Sequence, residues 1–228
     1  MNLKIIVTFT LLVLVGPLLE AQEFKSIFNG KDLSGWSGDE SLWSVKDGAI
    51  TGITSKDAPI PHNKFLIWEG EVTDFTFKAQ FRMMGDNNSG VQYRSERFGD
   101  DDAYRIRGYQ ADIHGNANYT GMLYDEGGRG IVAQRGQRVT AKQDGQVEII
   151  GKTDEIVKED LSKWNSIEIT CVGNTLVHKI NGKVTVAVTD NDEKNRENKG
   201  LLALQIHAGS PMTIQFKDLQ ISTDSKKK

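Results

Sequence analysis

The chain has 228 residues, with 28 Lys and Arg against 31 Asp and Glu, 23 Gly, 4 Pro and one Cys. Its 38% hydrophobic and 26% charged residues make it too apolar for a disordered chain and too polar for a polytopic membrane protein. The formal net charge is −3, and −6 without the terminal Lys226, Lys227 and Lys228, so no basic surface is available to neutralise a phosphate backbone and nucleic acid is not an expected partner.

In chain order, Lys4 is followed by an apolar run from Ile5 to Val15, then Gly16-Pro17 and the small-residue exit Leu19-Glu20-Ala21. That order predicts a secretory signal peptide over residues 1–21, leaving residues 22–228 as one exported domain, periplasmic or secreted. The run is shorter than the roughly 20 apolar residues a spanning helix needs, so no membrane span is expected after cleavage. Beyond the leader, short apolar or period-2 runs recur between Gly, Asn and Asp, and no long 3.6-residue period appears. They predict strands at Trp43 to Val45, Ala49 to Gly52, Phe65 to Ile67, Phe75 to Met83, Gly90 to Arg94, Gly108 to Ile113 and Gly121 to Tyr124. Six more follow: Val147 to Ile150, Asn165 to Val172, Thr175 to Ile180, Lys183 to Thr189, Gly200 to His207 and Met212 to Ser222. Asn181-Gly182 suits a tight I′ turn and makes Thr175 to Thr189 a hairpin, and Lys46-Asp47-Gly48 is a second turn signal. Lys158 to Leu161 is expected to form a helical turn, and 191–199 a polar loop. The fold class is therefore all-β: two antiparallel sheets packed face to face, a jelly-roll sandwich. Cys171, in the alternating run from Ile167 to Val172, reads as a buried hydrophobe, and a single cysteine excludes an internal disulfide.

The faces of three strands carry the functional signal. Gly90, Gln92 and Arg94 oppose Val91 and Tyr93; Gln110, Asp112 and His114 oppose Tyr109, Ala111 and Ile113; Ala203, Gln205 and His207 oppose Leu202, Leu204 and Ile206. Solvated strand faces are usually rich in Lys, Glu and Thr, so a face of amides, a carboxylate, imidazoles and a guanidinium points to a ligand surface. A histidine beside Asp112 suits a general base, and Asp112 is equally suited to a divalent metal. The Asp100-Asp101-Asp102 run reads as a solvated loop. In Thr120 to Gly130, glycines let Tyr124, Glu126 and Arg129 converge at a cleft rim. With Tyr109 and neighbouring tyrosines to stack on sugar faces, and Arg, Gln and Asp to bind hydroxyls and carbonyls, a polar carbohydrate site is expected. No serine-hydrolase elbow, Walker loop or dinucleotide fingerprint is present.

The segments FKSIFNGKDLSGW (Phe24 to Trp36), WSVKDGAITG (Trp43 to Gly52), FLIWEGEVTDFTFKAQFRM (Phe65 to Met83), NSGVQYRS (Asn88 to Ser95), GYQADI (Gly108 to Ile113), TGMLYDEGGRG (Thr120 to Gly130), KWN (Lys163 to Asn165) and GLLALQIHAGSPMTIQFKDLQI (Gly200 to Ile221) resemble the 3-keto-disaccharide hydrolase family. The resemblance implies a concanavalin A-like lectin/glucanase sandwich that cleaves the glycosidic bond of a sugar oxidised at carbon 3. The ketone acidifies the carbon-2 proton; a base removes it, the enolate expels the group on carbon 1, and water adds. On that implication His114 or His207 is the base, Asp112 orients it or holds a divalent metal, Arg94 stabilises the enolate oxygen, and Glu126 or Tyr124 is the acid. Gln92, Tyr109, Gln110, Arg129 and Gln205 would bind substrate. The family pattern often has Gly after the Asp-Ile pair, where this chain has His114. A non-catalytic carbohydrate-binding module is the alternative. An ordinary endo-glucanase would need two catalytic carboxylates spaced along one strand, and Gln110 and Asp112 stand there instead.

Overall fold

Asn181 and Gly182 adopt φ of 50° and 77°, and Asp47 and Gly48 of 53° and 72°, so both Asn-Gly and Asp-Gly form the left-handed pairs of tight hairpins. These turns belong to a computed structural model that describes residues 22–100, 104–154 and 156–223. The expected leader at 1–21, Asp101, Asp102 and the lysine tail lie outside the described residues.

Seventeen strands follow in chain order: β1 (Lys25–Ser26), β2 (Trp36–Ser37), β3 (Trp43–Lys46), β4 (Ala49–Thr54), β5 (Lys64–Val72), β6 (Phe75–Met84), β7 (Asn88–Arg97), β8 (Ile106–His114), β9 (Leu123–Glu126), β10 (Gly130–Ala133), β11 (Gln137–Ala141), β12 (Val147–Lys152), β13 (Asn165–Val172), β14 (Thr175–Ile180), β15 (Lys183–Asp190), β16 (Gly200–Ile206) and β17 (Met212–Thr223). The first sheet runs β12-β11-β15-β14-β13-β6-β17-β4-β3, with β1 beside β17; the second runs β10-β9-β8-β7-β16-β5-β2. All thirteen expected strands are present. The short β1 and β2 and the strands β10 and β11 were not anticipated, and β11 pairs with β15 in parallel, the one departure from antiparallel pairing among the described residues. No α-helix forms at Lys158 to Leu161: Asp160 accepts from the backbone and hydroxyl of Ser162 in a local turn, a use of Asp and Ser that competes with helix. No helix among the described residues is long and apolar enough to cross a membrane.

The sheets close over a core that includes Trp43, Phe75, Phe77, Phe81, Phe216, Leu202, Leu204 and Ile206, all nearly inaccessible to solvent. Burial of each such side chain contributes about 1.5–3 kcal/mol. Two tyrosines on the inner face of the second sheet cross to the first: Tyr93 Oη meets His178 Nε2 at 2.6 Å, and Tyr109 Oη donates to Asp190 Oδ2. Because His178 Nδ1 faces the Gly121 carbonyl, that nitrogen carries the proton and Nε2 accepts from Tyr93. Burial lowers the His178 pKa to about 4 and keeps the imidazole neutral. Cys171 is buried in this core as expected, and burial pushes its thiol up to about 12, which leaves it inert.

Candidate active site

The three strands singled out by their faces are direct neighbours, in the order β8, β7, β16. Gly90 pairs with Asp112, Gln92 with Gln110 and with Ala203, and Gln110 with Tyr124 of β9. Alternation therefore puts Asp112, Gln110, Gln205, Tyr124 and Glu126 on the outer face of the second sheet. Gly90 makes this floor possible: a Cβ there would stand 2.7 Å from the Gln110 side chain and 2.9 Å from the Ala111 carbonyl. Across this gap Gln110 Nε2 donates to Asp112 Oδ1 at 2.5 Å and reaches Gln205 Oε1 at 3.4 Å.

Above the floor lies a cavity of about 300 Å³, lined among others by Gln110, Asp112, His114, Tyr124, Glu126, Gln205 and His207. Seven of the eleven expected site residues thus meet in one place. Asn63, Asn88, Tyr119, Met122 and Ile131 complete the wall; of these only Tyr119, one of the tyrosines expected near a sugar, was anticipated. Asn63 flanks β5, Asn88 is the first residue of β7, and Tyr119 and Met122 come from a loop, where no periodicity marks orientation. Asn88 did carry a signal, as the first residue of the NSGVQYRS segment.

The two cavity histidines are held in opposite tautomers. Asn116 donates its backbone N–H to His114 Nδ1 at 2.9 Å, so the neutral ring carries its proton on Nε2. His207 Nδ1 lies 2.5 Å from the Ala208 carbonyl, which can only accept, so His207 donates from Nδ1 and its Nε2 bears a free lone pair. Asn63 Oδ1 anchors the same residue's backbone by accepting from the Ala208 N–H at 3.0 Å. Burial, with His207 nearby, lowers the His114 pKa despite Asp86, so this ring stays neutral; Tyr119 packs edge-on against it at 5.2 Å.

Asp112 is 3% exposed, and burial raises its pKa to about 7 against the hydrogen bond from Gln110, with Glu126 adding repulsion. Burial also raises Glu126 and Tyr124; His207, Asn63 and Arg105 hold Glu126 back. Asn88 Oδ1, Gln110 Oε1 and Gln205 Nε2, all on residues that line the cavity, are buried without a protein partner. Among the described residues no three His, Cys, Asp or Glu side chains gather as a metal ion requires. A divalent metal at Asp112 would have to complete its shell with amide oxygens such as the unpartnered Asn88 Oδ1 and Gln110 Oε1 and with water; the chemistry below is built from side chains alone.

Four expected site residues lie elsewhere. Arg94 is 1% exposed; its guanidinium donates to the carbonyls of Thr73, Gly173 and Glu197 and to Asp74, tying loops together away from the cavity. A bulge after Tyr93, with Arg94 at φ 48°, breaks the alternation that would have placed it beside Gln92. Tyr109 is on the inward face of β8, in the core. Arg129 is engaged by Asp125 and Asp190 and donates to Tyr109 Oη, forming an ion network between the sheets. Gln92 holds the outer face but is fully buried between Ala203 and Gln110, its Nε2 3.4 Å from the Gly108 carbonyl, and it does not line the cavity.

Solved structures with the same architecture include a candidate glycosyl hydrolase from Parabacteroides distasonis (17% identity, 88% of this chain and 99% of that one, TM-score 0.59). Others are the carbohydrate-binding module CBM66 from Bacillus subtilis (14%, 83% and 96%, 0.55) and the β-glucanase of Bacillus licheniformis (9%, 90% and 99%, 0.54). At these identities the likeness establishes the jelly-roll fold of lectins and glucanases and no more. No curated protein matches the chain. Residues 23–222, which contain both sheets and every wall of the cavity, match a family described as the 3-keto-alpha-glucoside-1,2-lyase-like domain, and the chain belongs to that family.

Proposed function

We propose that the protein cleaves the glycosidic bond of 3-keto-glucosides, 3-keto-disaccharides among them, by elimination at carbon 2 and carbon 1 followed by addition of water. The observation that carries this reading is the pair of opposite tautomers on one cavity, a bare Nε2 on His207 and an Nε2–H on His114, beside carboxyls that hold their protons unusually late. His207 Nε2 takes the carbon-2 proton. The C–H electrons form the enolate, whose oxygen is met by the neutral His114 N–H and the unpartnered Gln205 amide. The enolate then expels the carbon-1 oxygen, which takes the Glu126 proton as it leaves. In the second half the Glu126 carboxylate removes a proton from water as it adds to carbon 1, and His207, whose captured proton exchanges with solvent while the unsaturated sugar is bound, protonates carbon 2. Both groups end as they began, and the net change is hydrolysis. Asp112 and Gln110 bind sugar hydroxyls at the floor. The expected role of Arg94 passes to His114 and Gln205, because Arg94 is consumed in loop contacts.

The test is incubation of the purified mature protein with a 3-keto-glucoside, 3-keto-trehalose and the unoxidised sugars. Release of 3-keto sugar from the oxidised substrates alone agrees with the proposal. Equal cleavage of unoxidised sugar would favour an ordinary glucanase, and binding without product a carbohydrate-binding module.

A further inference from the structure

The cavity described above does not end at Glu126. A second lobe of about 250 Å³ continues from it, sharing Asn63 and Glu126 as its walls. The chemistry changes at that boundary. The first lobe is built mainly of amides, carboxyls, imidazoles and two tyrosines, with Met122 and Ile131 beside them, whereas the second sets Phe65, Ile106 and Phe98 among His62, Asn63, Arg105 and Glu126. Phe65 and Ile106 belong to a small apolar cluster on the outer face, separate from the core, that also contains Ile67 and Ala203. The wall is held in place: Phe65 N–H donates to the Tyr104 carbonyl at 3.0 Å, Phe98 N–H to the Arg105 carbonyl at 3.2 Å, and the Arg105 guanidinium lies 4.3 Å from the centroid of the Phe98 ring. His62, on the same wall, has a buried Nε2 with no protein partner.

Resting on the elimination proposed above, we infer that this second lobe is the leaving-group subsite and receives the second ring of the substrate, a pyranose or aryl aglycone with an apolar face. Glu126 stands between the lobes, where the oxygen joining two rings must pass and where the departing oxygen needs a proton. A ring stacked on Phe98 fits the aromatic and aliphatic lining, and Arg105 and His62 supply polar groups at its edge. The enzyme therefore selects for a two-ring substrate by apolar contact on one side and for the oxidised sugar by polar contact on the other.

The experiment compares methyl 3-keto-glucoside with phenyl 3-keto-glucoside and 3-keto-trehalose, in wild type and in Phe98→Ala, with a thermal melt to show that the variant is folded. Where Phe98→Ala does not fold, Phe98→Leu and His62→Ala take its place. The expected result is that the ratio of kcat/KM for two-ring over one-ring substrates falls about tenfold in the variant, the size of one lost ring contact. An unchanged ratio overturns the subsite and leaves the elimination standing. If wild type turns over none of the three, the elimination itself is wrong, and the subsite is judged by calorimetric Kd values for the same compounds. A two-ring preference that disappears in the variant supports it; no preference, or no binding, overturns it.

Discussion

His207 and His114 differ in a single respect that decides their chemistry, namely which backbone group meets Nδ1. A carbonyl facing His207 Nδ1 and an N–H facing His114 Nδ1 leave one ring able to accept a proton and the other able to donate one. Replacing His207 with Asn should lower kcat by about 10²–10⁴-fold, the range for a lost general base, in steady-state assays on a 3-keto-glucoside. His114→Phe keeps an aromatic ring against Tyr119 but removes the donor, and should cost about 10²-fold. Asp112 gives a prediction with two readouts. Asp112→Asn, which weakens the hold on a sugar hydroxyl, should lower kcat/KM by about 10–10²-fold. It should also raise stability at high pH, by the following sign: the folded pKa, about 7, lies above the usual 3.8, so the favourable contribution of the protonated form is complete below about 3.8 and lost as pH rises through 7. At pH 8 the wild type bears a buried carboxylate that Asn removes, worth roughly 2–4 kcal/mol. The Tm of the variant relative to wild type should therefore increase from pH 5 to pH 8; a constant difference would mean that Asp112 titrates normally. None of this is visible in a sequence, because tautomer and pKa depend on neighbours brought in from other strands. Only the clustering of His, Asp and Gln on one side of two strands could be read in advance.

At the scale of strands, period-2 alternation located the floor of the site and failed at one bulge. Gly90, Gln110, Asp112 and Gln205 fell on the expected face because β7, β8 and β16 are regular there. After Tyr93 the register slips, and Arg94 turns away. The bulge had a signal in its glycines: a Cβ on Gly200 would stand 2.3 Å from the Ser95 carbonyl, and one on Gly108 2.6 Å from Ser95 Oγ, so both neighbouring strands give up a side chain to admit it. β10 and β11 were missed for another reason, since their short, weakly alternating runs become strands by pairing with β9, β12 and β15. The two arginines that lie outside the cavity, Arg94 and Arg129, should behave as structural residues. Arg129→Met leaves Asp125 and Asp190, both buried, without their cation and should cost about 3–5 kcal/mol in urea unfolding. Arg94→Met strips donors from three loop carbonyls and should also destabilise, by about 1–3 kcal/mol. Below their melting temperatures both variants should keep kcat within about threefold of wild type. A loss of about 10²-fold in either, with stability intact, would return that arginine to the active site.

For the whole molecule, the sandwich acts as a rigid support whose inner and outer faces do different work on the same strands. Tyr93 and Tyr109 point inward and tie the sheets through His178 and Asp190, while Gln110 and Asp112, on the strand that carries Tyr109, point outward into the cavity. Their pH dependences oppose one another: His178, held neutral with a pKa near 4, contributes stability that is present above about 6.5 and lost as pH falls through 4, whereas the contribution of Asp112 is lost as pH rises. The fold class and the strand order along the chain were legible from alternation and turn residues, but sheet order, which makes β8, β7 and β16 neighbours, is a product of long-range pairing. The central claim is that the glycosidic bond breaks through removal of the carbon-2 proton by His207. Its most direct test is brief turnover of a 3-keto-glucoside in D₂O, with the released sugar read by NMR against an enzyme-free control. Elimination and rehydration predict one deuterium at carbon 2 of the product, with no such product from His207→Asn. Released 3-keto sugar that keeps its original hydrogen at carbon 2 would contradict the account.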